Sequence, residues 1–72
     1  MIVKRGQLIK RIADRAKEAG VDWAVDREGS NHTVYRLGKT MIPVPRHREI
    51  DNVLAEKVFK ECQPELGQRW WK

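Results

Sequence analysis

With a single cysteine, Cys62, and no cluster of Cys and His at metal-ligand spacing, a chain of 72 residues has to hold its fold by packing alone. A domain of this size buries only about 60% of the surface that its unfolded chain exposes. One small core is the expectation, with no room for a large internal cofactor cavity; neither a metal nor a small-molecule cofactor is expected. The unpaired cysteine fits a reducing cytosol. Met1 to Gly6 lacks the apolar core of a signal peptide, and no apolar run approaches the roughly 18 residues that would cross a bilayer. A soluble cytoplasmic protein with no membrane partner is expected.

Apolar spacing supplies the order of elements. Leu8, Ile9, Ile12, Ala13, Ala16 and Ala19 recur at helical spacing from Gly6 to Ala19, and Gly20 stands where a helix C-cap is expected. Val21, Trp23 and Val25 then alternate with Asp22, Ala24 and Asp26, the period of a half-buried strand. Turn formers follow at Glu28 to Asn31. His32 to Leu37 reads as a second strand, Gly38-Lys39 as a two-residue connection, and Thr40 to Val44 as a third strand. Pro43 and Pro45 cannot donate to a ladder, so this strand ends there or lies at an edge. Ile50, Val53, Leu54, Ala55, Val58, Phe59 and Cys62 mark a second helix, with Glu49 and Asp51 in its first turn and Pro64 as its stop. Gln63 to Lys72 shows no period.

The expected architecture is two-layer α+β, in the order α-β-β-β-α, with both helices on one face of a three-stranded antiparallel sheet. Side chains alternate along a strand, so His32, Val34 and Arg36 share one face of the second strand and Thr33, Tyr35 and Leu37 the other. The second set is the larger and more apolar. It belongs under the helices, which leaves His32 and Arg36 together on the uncovered face. Trp23 falls on the apolar phase of the first strand and reads as core. Trp70 and Trp71, adjacent in a polar tail, pack back on the domain, stack on bases or form a protein interface.

The formal net charge is +5 and the sequence pI about 9.8. That balance favours polyanions, nucleic acid first and an acidic protein second. The run Glu28-Gly29-Ser30-Asn31-His32 sets a histidine at a loop-to-strand junction. Histidine can take and give a proton near neutral pH. In RNA, a general base that removes the 2′-hydroxyl proton lets that oxygen attack the adjacent phosphorus, and a general acid then protonates the departing 5′-oxygen. Arg36, Lys39, Arg46 and Arg48 are candidates for holding the phosphate and its growing charge. His47, Tyr35 and water all stand as second proton carriers, and the sequence does not choose among them.

The order of elements, the Gly29-Ser30-Asn31-His32 turn leading into a strand, and Ile42-Pro43-Val44-Pro45 followed by a basic link and a final helix together resemble the HicA family. The resemblance covers roughly Gln7 to Gln63, dividing the chain into a HicA-like domain over residues 1–63 and a tail over residues 64–72. It implies a fold like the double-stranded-RNA-binding domain and the activity of a toxin that cleaves messenger RNA without a metal. It also implies a HicB-type antitoxin protein as partner and carries the catalytic role to His32, with Ser30 and Asn31 beside it at the RNA. Many family members have a second histidine where this chain has Asn31. A non-catalytic RNA-binding module of the same fold and a small basic adaptor for another protein are the competing readings.

Overall fold

The computed structural model describes residues 2–71; Met1 and Lys72, the outermost residues of the two expected segments, lie outside the described residues. Among the described residues eight elements follow one another: β1 (Ile2–Lys4), α1 (Arg5–Ala19), β2 (Trp23–Glu28), β3 (His32–Leu37), β4 (Thr40–Pro45), β5 (Glu49–Asp51), α2 (Asn52–Glu61) and α3 (Gln63–Leu66).

Leu8, Ile12 and Ala16 form the stripe at four-residue spacing that the sequence calls for, and all three are fully buried. Gly20 ends α1 in the left-handed conformation, with φ at 71°, and its N–H returns to the carbonyls of Ala16 and Lys17. Then β2, β3 and β4 form an antiparallel sheet in that order. Pairing of β3 with β4 is regular from His32 opposite Pro45 to Leu37 opposite Thr40, while Asp26 is an extra residue in β2, between Val25 opposite Tyr35 and Arg27 opposite Val34. β4 lies at an edge, as its prolines require.

Thr33, Leu37, Ile42 and Val44 are buried on one face of this sheet. The same core takes Leu8, Ile12 and Ala16 from α1 and Ala55, Val58, Phe59 and Cys62 from α2, so both helices cover that face. The expected α+β architecture is the observed one. Its other face carries His32, Arg36, Met41 and Pro43, all exposed, and the half-buried Val34.

Ile50 departs from its expected place. It does not open the second helix but is the middle of β5, buried and paired with Val3 in a second, two-stranded antiparallel sheet. Asp51 likewise precedes α2 as its N-cap and accepts a hydrogen bond from the Val53 N–H at 3.2 Å. A short carboxylate satisfies a free helix N–H better from the cap than from inside the first turn. Strands of three residues have no period to read, so neither β1 nor β5 is visible in the sequence.

Beyond α2 the chain turns back on itself. Leu66 of α3 enters the core, and the Trp70 indole N–H donates to the Phe59 carbonyl at 2.8 Å. Trp70 meets the Phe59 ring edge-on and Trp71 stacks on it, with centroids 5.2 and 5.9 Å away. Arg11 of α1 lies over that same ring and donates to the Trp71 carbonyl. Of the three roles open to the tryptophan pair, packing on the domain is the one the fold displays.

Candidate functional site

The site starts from a turn with two fastenings. Gly29 N–H donates to the His32 carbonyl at 2.7 Å, and Arg46 N–H donates to the Asn31 carbonyl at 3.2 Å. A Cβ on Gly29 would lie 3.0 Å from that His32 oxygen, so the close approach favours a residue without one. Ser30 and Asn31 are exposed at the tip, and His32 is exposed at the first position of β3.

A polar chain beneath the turn ties it to the rest of the molecule. Arg5 donates from Nη2 to the Thr33 hydroxyl at 3.0 Å and from Nε to the Pro45 carbonyl at 2.9 Å. Thr33, itself buried, passes its hydroxyl hydrogen to Glu28 Oε1 at 2.7 Å. Arg46 reaches the same oxygen at 2.6 Å. The Thr33 hydroxyl and then the Arg46 guanidinium hold the Glu28 carboxyl below its ordinary value by hydrogen bonding. One line of contacts thus joins the start of α1, both strands flanking the turn, and the end of β4.

Residues expected at the site are only partly brought together. Arg46 lies beside the turn, one residue past Pro45, which faces His32 in register. Arg48 is exposed and faces the start of α1, its carbonyl accepting from Arg5 N–H at 3.0 Å. Arg36 shares the uncovered face with His32 but stands four positions along β3, about 13 Å at the usual strand rise. Lys39 is at the far end of the hairpin, about 17 Å away, where its N–H and the Thr40 hydroxyl donate to Glu65 Oε2. Tyr35 is on the covered face, stacked on Trp23 with centroids 4.4 Å apart, and so does not share a face with His32. His47 is exposed in the link that follows Arg46.

Arg5, Glu28 and Thr33 join the site although the sequence does not mark them for it. Glu28 and Thr33 flank the turn, but Arg5 sits 28 residues from Thr33 and carries no local signal of the contact. Among the described residues no three His, Cys, Asp or Glu side chains gather as metal ligands, and no helix is long and apolar enough to cross a membrane. No protein-family profile, characterised protein sequence or solved structure matches the chain. Site geometry and residue chemistry therefore carry the functional argument.

Proposed function

We propose that this protein is an RNA-cleaving toxin of the HicA type, cytoplasmic, with His32 moving the proton and a HicB-type antitoxin holding it in check. What carries the reading is the exposed imidazole of His32 on the sheet face that the helices leave bare, on a turn fastened at both ends. A messenger RNA strand has free approach to that face. With the imidazole neutral, His32 takes the 2′-hydroxyl proton, the oxygen forms its bond to phosphorus, and the bond to the 5′-oxygen breaks once that oxygen is protonated. Arg46, beside the turn, offers N–H donors to the phosphate as its charge grows. Ser30 and Asn31 at the tip offer further polar contacts. The basic surface that draws RNA also draws an acidic antitoxin, so the two compete.

Replacing His32 with alanine tests this. RNA cleavage and toxicity should fall by about 10²-fold or more. The melting curve should hardly move, since an exposed substitution away from special features changes stability by about 0.5 kcal/mol at most. A folded His32→Ala protein that cuts RNA at the wild-type rate overturns the assignment. Tyr35 being on the covered face leaves only His47 and water as second proton carriers among those considered, which favours a non-catalytic RNA-binding module as the second reading. Salt-sensitive RNA binding by the wild-type protein without any cleavage selects it.

A further inference from the structure

Five basic residues line one cleft of about 620 Å³, and among the described residues no acidic side chain lines it. Lys4 and Arg5 come from the β1–α1 junction, Lys10 from the second turn of α1, and Arg46 and Arg48 from the link between β4 and β5. Arg5 is the central one. Half-buried, it gives two of its N–H donors to neutral acceptors, the Pro45 carbonyl and the Thr33 hydroxyl. A guanidinium has five such donors, so three remain. Among the described residues no carboxylate oxygen lies within 4.0 Å of Arg5, Lys4 or Arg48. Lys10 and Arg46 do have partners, Asp14 at 2.7 Å and Glu28 at 2.6 Å, and all four side chains are exposed. The start of α1 adds to the field, because Lys4 caps it without a side-chain hydrogen bond and its first turn holds no acidic residue. Glu28 beside Arg46 and Glu49 opposite Lys4 in register offset part of this charge, and the five basic side chains still leave the cleft with an excess of positive charge that favours an anion.

We propose that this cleft grips backbone phosphates of the RNA strand that His32 cuts, an inference that rests on the nuclease reading above. Three observations favour an RNA strand over an isolated anion. The cations line a cleft and are not stacked at a point, as a string of phosphates requires. Three of them are arginines, whose planar forks match phosphate oxygens in pairs. Arg46, one of its lining residues, donates its backbone N–H to the Asn31 carbonyl, which sets one end of the cleft next to the turn that carries His32. Contacts to phosphate hold and align a strand without reading its bases. The cleft thus supplies affinity and register, while any preference for sequence comes from elsewhere.

The test measures binding of a short fluorescein-labelled single-stranded RNA by anisotropy across a salt series, in the full-length His32→Ala background so that nothing is cut. Lys4→Ala with Lys10→Ala removes two exposed cations. The slope of log affinity against log salt should become shallower by about 0.7 for each phosphate no longer gripped. Gly6→Asp is the sharper variant. A Cβ there meets nothing within 4 Å, and a carboxylate in the first turn of α1 favours the helix while repelling phosphate. Its melting temperature should hold or rise while RNA affinity falls by about tenfold. Wild-type affinity and slope in both variants overturn the proposal. RNA bound through the cleft but never cut by the wild-type protein leaves the cleft standing and removes the nuclease reading. Normal cutting, with binding untouched in the cleft variants, does the reverse.

Discussion

Thr33→Val keeps the shape of a buried side chain and deletes the hydroxyl that joins Arg5 to Glu28. The hydroxyl accepts from Arg5 at 3.0 Å and donates to Glu28 at 2.7 Å. Glu28 is exposed, so water replaces the bond it gives up. Arg5 is half-buried and keeps only its bond to the Pro45 carbonyl. Removing a hydrogen bond to a half-buried charged group costs about 1–2 kcal/mol. In a domain of this size that lowers the melting temperature by roughly 4–16 °C. A second signature lies in pH. The folded protein holds the Glu28 carboxyl below its ordinary value of 4.5, chiefly through the Thr33 hydroxyl and next through Arg46. A group with a depressed folded value stabilises above its unfolded value and loses that contribution as pH falls through the folded one. The deficit of Thr33→Val against wild type should therefore be largest at neutral pH and shrink below about pH 4.5. Urea unfolding at neutral and acid pH, with Thr33→Ser as a control that keeps the hydroxyl, measures both effects. A Thr33→Val protein as stable as wild type at neutral pH, or with the same deficit at every pH, refutes the argument.

Two further outcomes follow from the hairpin turn and the core. Gly38→Ala places a Cβ at φ 59° and against Glu65 Oε1, disturbing the carboxylate that accepts from Lys39 and Thr40; urea unfolding should show a loss of about 1–2 kcal/mol, and an unchanged midpoint would contradict it. Burial pushes the Cys62 thiol up to about 12, and its Sγ lies 3.4 Å from the Val58 carbonyl. Thiolate-directed reagents should label it at neutral pH only as fast as the protein opens, which a labelling time course with and without urea reads directly.

Periodicity makes α1, the β3–β4 hairpin and the burial of the Thr33-Tyr35-Leu37 face legible, because each repeats over enough residues to reveal a phase. Ile50 misleads because a single apolar residue three or four positions before Val53 and Leu54 fits a helix as well as a strand. Its true partner, Val3, is far away in sequence. The candidate site divides in the same way. The turn carrying His32 is local and visible, whereas the Arg5–Thr33–Glu28–Arg46 chain and the cleft exist only once residues 4–10 meet residues 46–48. Lys39 stands at the other end of the sheet because the β3–β4 connection closes the end away from the turn before His32, a placement that depends on strand register and not on distance along the chain.

A three-stranded sheet has two free edges, and each invites another chain to add a strand. In this protein both edges are blunted. Pro43 and Pro45 occupy equivalent register positions in β4, opposite Val34 and His32, where the N–H of an ordinary residue would point out from the sheet. On the opposite edge, the extra residue Asp26 breaks the ladder of β2, and Arg27 and Glu28 carry charge beside it. Through this three-stranded sheet, copies of the protein therefore find no long, flat strand edge to extend. Any chain that met this sheet would meet side chains before backbone.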